Sequence, residues 1–185
     1  MSNADGPASP TLVREFEAAA PALLAWARLR IRPELRVRLD PEDLVQEVGC
    51  RALLAAAGFD PARGGFRPWL FGIANRVLLE ALRDLGRAGH GHVRIGPSGL
   101  HDAAATVTSI TQAVARDDLV RTFLAQVERL DADDRTLLVL RGLEQLPHPQ
   151  VATLLGIGED LIRKRWQRLC DRLRSDPVFA ALGEA

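Results

Sequence analysis

The sequence predicts an all-α protein built as two helical domains on either side of a flexible linker. Three observations carry this. Phe59–Arg87 opens with turn residues, Asp60-Pro61 and Gly64-Gly65, and then runs at helical period with two distinct faces. Just beyond it, Gly86, Gly89, Gly91, Gly96, Pro97 and Gly99 crowd together, a composition that suits a boundary between domains. Past that boundary, a second helical region ends in a short helix, a glycine turn and a longer basic helix. The predicted divisions are a disordered N-terminus (1–10), a first domain (11–87), a linker (88–115), a second domain (116–175) and a C-terminal tail (176–185).

The 185 residues leave room for one ordinary domain or two small ones. No run of about 18 apolar residues exists, so no membrane span is expected. No charged start followed by an apolar stretch reads as a secretory signal, and the cytoplasm is the expected compartment. Cys50 and Cys170 lie far apart without a Cys-x-x-Cys partner, which argues against a disulfide framework or a zinc site. The formal net charge is zero, which argues against a uniform basic coat and leaves local patches open. No cofactor is indicated.

In chain order, Thr11–Ile31 reads as a helix from the recurrence of Leu12, Phe16, Ala19, Leu23, Trp26 and Ala27, with Pro21 expected to bend or split it. Arg28, Arg30, Arg32, Arg36 and Arg38 surround Pro33 and read as a solvated turn. Asp40-Pro41-Glu42-Asp43 starts a second helix, with Asp40 as N-cap and Pro41 in the first position. Leu44, Val45, Val48, Ala52 and Ala55 face a core; Asp43, Gln46, Glu47, Cys50 and Leu54 fall on the opposite side. The Asp43/Glu47 pair has no Glu-x-x-His and no second acidic helix facing it, so a docking surface suits it better than catalysis. In the long helix, Leu70, Phe71, Ile73, Ala74, Val77, Leu78, Ala81 and Leu82 form the apolar face. Trp69, Gly72, Arg76, Leu79, Arg83 and Arg87 gather on the other. Arginine for phosphate, an aromatic for stacking and a glycine for close approach are what a single-stranded nucleic-acid platform needs.

His90, His92 and His101 lie near the glycine-rich stretch without a third ligand at metal-binding spacing. In the second half, Leu119, Phe123, Val127 and Leu130 make one apolar stripe, and Asp131–Asp134 starts the next helix. Gln150–Leu155 is a short helix, Gly156 allows a left-handed turn, and Glu159–Arg174 is the last helix. Ile162, Trp166, Leu169, Cys170 and Leu173 form its apolar back, and Lys164, Arg165, Arg168 and Arg172 stand opposite. Leu161–Arg174 holds six basic residues and one acid, a net +5 in a neutral chain. This is a helix-turn-helix arrangement, whose second helix can enter a major groove.

The two halves meet in one family. Asp-Pro-Glu-Asp-Leu-Val-Gln-Glu-Val at residues 40–48 resembles region 2.2 of the bacterial sigma-70 class of RNA polymerase sigma factors. Phe-Asp-Pro, Gly-Gly-Phe-Arg and Trp-Leu-Phe-Gly-Ile-Ala in Phe59–Arg87 resemble regions 2.3 and 2.4. Leu137–Arg174 is similar to region 4, with Leu-Leu-Gly-Ile at 154–157 and Ile-Arg-Lys-Arg at 162–165. The length and the two modules match the compact extracytoplasmic-function (ECF) group. The resemblance implies a region 2 helical bundle and a region 4 helix-turn-helix. It implies that Asp43, Gln46 and Glu47 dock on core RNA polymerase. It implies that Arg67, Trp69, Asn75, Arg76 and Arg83 engage the melted minus-10 element. It further implies that Glu159, Asp160, Arg163, Lys164, Arg165 and Arg168 read the minus-35 element as duplex promoter DNA. Such a factor directs transcription initiation without catalytic residues of its own, and an anti-sigma partner is implied. The alternative is a stand-alone helix-turn-helix regulator with an N-terminal sensor or dimerisation domain.

Overall fold

The structure, a computed structural model, describes residues 10–87, 101–115, 118–174, 176 and 178–179, and all regular elements among them are helical. The chain divides into two compact units, 1–116 and 117–185.

The first unit is built on α1 (Pro10–Arg30), α2 (Pro41–Leu54) and α3 (Phe66–Arg87), with short 3-10 turns at Pro33–Leu35 and Ala56–Gly58. Pro21 lies inside α1 without ending it. An interior proline removes one helical hydrogen bond. Here burial of Ala19, Ala20 and every residue from Ala22 to Ala27 holds the helix together across that gap. Trp26 of α1 meets Phe71 of α3 edge to face at 5.8 Å, and Phe16, Leu23, Leu24, Leu44 and Leu70 fill the space around them. Asp40 caps α2 as expected, accepting a hydrogen bond from the Glu42 amide at 2.7 Å.

The arginine run that spans the end of α1 and the turn after it is more than a solvated turn. Arg28 pairs with Glu42 at 2.7 Å, Arg36 donates to the Arg28 carbonyl, and Arg38 donates to the Leu85 carbonyl. These side chains satisfy carbonyl groups at two helix ends, which are otherwise left without helical donors.

The linker reading of 88–115 needs correction in its second half. Residues 88–100 lie outside the described residues, as does most of the expected disordered N-terminus. His101–Ala115 forms a helix, α4, packed on α2 and α1 within the first unit. An Ala/Thr-rich stretch has a weak periodic signal, because packing rather than propensity fixes such a helix.

The second unit comprises α5 (Asp118–Val127), α6 (Ala132–Leu137), α7 (His148–Leu155) and α8 (Glu159–Leu173). Asp131 caps α6 through the Asp134 amide at 2.8 Å. Beyond Leu137 the helix widens into a π turn, Leu138–Leu143, where the Glu144 amide reaches back to the Val139 carbonyl. Gly156 adopts φ 67°, the left-handed conformation that ends α7 and redirects the chain into α8. Phe179, placed in the tail by sequence, packs on Phe123 of α5 at 5.2 Å.

Candidate nucleic-acid interface

In the first unit the site grows from the start of α3. The Asp60 side chain accepts from the Ala62 amide, and the Arg63 amide closes on the Asp60 carbonyl, making the compact turn that the Asp-Pro sequence favours. This turn brings Phe59 against Phe66 and Trp69, with ring centroids at 5.7 and 5.0 Å; Phe66 and Trp69 are 5.5 Å apart. Trp69 is half-buried, so one part of the indole is locked by the cluster and another faces solvent. Beyond it along α3, Gly72, Arg76, Leu79 and Arg83 are exposed. A Cβ added at Gly72 meets nothing within 4 Å, so this strip of helix backbone is open to close approach.

Asn75 is half-buried beside the strip. Its amide donates to the Phe71 carbonyl at 2.9 Å, and its Oδ1 accepts from Arg30 at 3.1 Å. Arg30 in turn lies over the Trp26 ring at 5.7 Å. Arg30 is therefore a member of this surface rather than of a solvated turn.

Two of the predicted site residues are not on the surface. Arg67 is only 5% exposed, and burial pushes its guanidinium below the usual arginine range. On the first turn of α3 it shares the inward stripe of Phe66, Leu70, Phe71 and Ala74. Glu47 is 3% exposed on α2, where Arg51 binds it at 2.6 Å and also reaches Glu80 of α3. Cys50 is buried beside it; burial raises its thiol pKa, and the Glu47 charge adds to that. The i, i+4 spacing of Glu47 and Arg51 was the available signal for this internal ion pair. Asp43 is exposed and Gln46 half-buried.

In the second unit, Ile162 and Leu169 are buried on the back of α8, while Trp166, Cys170 and Leu173 are half-buried. Trp166 lies under the Arg141 guanidinium at 5.6 Å, on the π turn. Asp160, Arg163, Lys164 and Arg168 are exposed on the opposite side. Arg163 pairs with half-exposed Glu159 one turn earlier. Arg165 is held by Asp133 at 2.9 Å, and Arg172 by Asp134, both acids from the first turn of α6. A groove lined by Asp131, Asp133, Asp134, Arg165, Arg168 and Arg172 separates the two helices. The charge excess of α8 is thus partly neutralised within the unit, which the sequence reading missed because the partners lie about 30 residues away in sequence.

Among the described residues, no group of His, Cys, Asp or Glu is arranged to hold a metal, and no helix is long and apolar enough to cross a membrane.

Comparison with known proteins matches residues 15–88 to sigma-70 region 2 and residues 121–173 to sigma-70 region 4. The chain is 31% identical over 134 residues to the "RNA polymerase sigma factor NccH" of Alcaligenes xylosoxydans xylosoxydans, covering 70% of this chain and 68% of that one. It is 30% identical over 151 residues to the "Probable ECF RNA polymerase sigma factor SigI" of Mycobacterium tuberculosis, covering 78% of this chain. It is 25% identical over 166 residues to the "ECF RNA polymerase sigma factor SigD" of Mycobacterium bovis, covering 89% of this chain and 76% of that one. The chain spans about half the length of SigI, 49% of it. No solved structure matches it.

Proposed function

Because the chain belongs to the sigma-70 class of RNA polymerase sigma factors, in its ECF group, we propose that it binds core RNA polymerase, recognises the minus-10 and minus-35 promoter elements and starts transcription. The observation that carries this reading is the pair of exposed cationic faces, one in each unit. Arg76 and Arg83 stand beside a half-buried Trp69 on α3, and Lys164 and Arg168 stand on the second helix of a helix-turn-helix.

Each face suits a different form of DNA. An open strip with a fixed indole offers a stacking surface to an unpaired base and arginines to its backbone. Asn75, fixed by Arg30 and the Phe71 carbonyl, lies beside that strip, and Arg67 is enclosed on the inward side of the same helix. On α8, Arg163, Lys164 and Arg168 reach phosphates, while Glu159 and Asp160 at its start face the base edges of a duplex. Arg165 stays with Asp133 in this arrangement and contributes to DNA only when released. Asp43 and Gln46 on α2 meet the polymerase, with Glu47 fixing the helix from within. The factor is not an enzyme; bond formation belongs to the polymerase. It works in the cytoplasm, and an anti-sigma protein that covers either face would silence it.

The test is run-off transcription: core polymerase plus this chain on fragments of the source genome. Discrete chain-dependent transcripts are expected. Their absence, with stable duplex binding by the chain alone, would point to a stand-alone regulator instead.

A further inference from the structure

We propose that α4 is a built-in cover over the polymerase-docking face of α2, and that polymerase must displace it. The inference rests on the docking reading above and concerns how that same face is regulated.

Gln46, assigned to the docking face, lies under α4. Thr108 Oγ of α4 donates to Gln46 Oε1 at 3.5 Å. One turn along α2, a Cβ built at Gly49 would lie 2.6 Å from Val107 of α4 and 2.7 Å from Phe16 of α1. The absence of a side chain at Gly49 therefore lets α4 press against the α2 backbone. Val107 and Thr111 are each 1% exposed, and the Thr111 hydroxyl is satisfied by the Val107 carbonyl. Asp43, one turn before Gln46 on α2, is exposed.

Two features set α4 apart from α1, α2 and α3, although it packs closely on α2. Residues 101–115 fall in the gap between the two family matches, which end at 88 and resume at 121. The large core side chains, Trp26, Phe16, Phe71, Leu44 and Leu70, all come from α1, α2 and α3. From α4 the described buried side chains are one valine and one threonine. To reach Gln46 a protein partner must therefore exchange the close packing of α4 on α2, including the burial of Val107 and Thr111, for contacts of its own.

The experiment uses the full chain with core RNA polymerase. Hydrogen exchange on the wild-type chain, free and in complex, decides the question. Loss of protection in 101–115 together with gain in 41–54 is the expected result; retained protection of 101–115 in the complex overturns the proposal. A Val107→Asp, Thr111→Asp variant, which leaves α2 untouched, should capture core polymerase three- to tenfold more tightly. If that variant is folded and binds no more tightly, the cover is rejected; if it does not fold, the wild-type exchange result stands alone. Failure of the docking reading looks different: Asp43→Arg would then capture polymerase as well as wild type, whatever α4 does.

Discussion

The two units handle charge in opposite ways at their candidate surfaces. Beside the exposed strip of the first unit, charges are taken inside: Glu47 and Arg67 are buried, and Arg51 ties two helices together from below. In the second unit, the arginines of α8 stay at or near the surface and are moderated by exposed Asp133, half-exposed Glu159 and the more enclosed Asp134. Glu47 is enclosed while its partner Arg51 is half-exposed and also holds Glu80, so the cost falls on changing the charge inside the enclosed site. An exposed pair is worth little to stability but still competes with an incoming phosphate. Substitutions in the first unit should therefore register as unfolding. Comparable substitutions in the second should register as altered DNA binding with the fold intact.

The largest expected effect tests the buried side. Glu47→Arg places a second cation against Arg51 in a site that is 3% exposed, and should destabilise the first unit by about 3–5 kcal/mol, read by urea unfolding. Asp43→Arg, one turn earlier and exposed, should cost less than about 1 kcal/mol while weakening polymerase capture. Equal destabilisation by the two would erase the proposed contrast.

Trp69→Ala should come next. It removes two ring contacts, to Phe59 and Phe66, each worth about 0.5–1.5 kcal/mol beyond area burial. Promoter opening, followed by permanganate reactivity of unpaired thymines, should fail while polymerase capture persists. Trp69→Phe should recover most of the stability and part of the opening. Loss of capture by the alanine variant would mean that the cluster is structural only.

In the second unit, Asp133→Asn combined with Asp134→Asn should cost under about 1 kcal/mol at exposed Asp133 and more at Asp134, whose side chain is 16% exposed. It frees Arg165 and Arg172, so the slope of log affinity against log salt on a random duplex should steepen by up to about two. Lys164→Ala with Arg168→Ala should flatten the same slope. An unchanged slope in the aspartate variant would show that neither arginine reaches DNA even when released.

What the sequence revealed and what it concealed divide along a physical line. Features set by neighbours in the chain were legible: the Asp40 and Asp131 caps, the left-handed Gly156, and the exposed strip of Trp69, Gly72, Arg76 and Arg83. Features set by distant partners were not. Glu47 and Arg67 carry charges on positions that packing buries, and only the i, i+4 spacing of Glu47 with Arg51 hinted at it. The Arg30–Asn75 contact and the Asp133–Arg165 pair join residues 45 and 32 positions apart, beyond any local rule. α4 was the hardest to read, because its Ala/Thr-rich sequence acquires a place only by packing on α2 and α1.

The smallest predicted effect is a pH dependence confined to the second unit. His148, the first residue of α7, is half-buried, and its Nε2 is enclosed with no hydrogen-bond partner among the described residues. Burial lowers its pKa first, and the Arg141 and Arg163 charges lower it further, against a weaker opposing pull from Glu159. The folded state therefore prefers the neutral imidazole, while the unfolded chain takes up a proton near the ordinary value of about 6.5. Between those two pKa values the unfolded state binds more protons, so stability rises with pH across that window. The contribution is fully present above about pH 6.5 and is lost as the pH falls through the lowered folded value. Urea unfolding at pH 7.5, 6.5 and 5.5 should show the loss in wild type and a smaller one in His148→Gln. Because Arg141 sits on the π turn under which Trp166 packs, tryptophan fluorescence of the second unit should report the same transition. A His148→Gln variant with an undiminished pH slope would place the titrating group elsewhere.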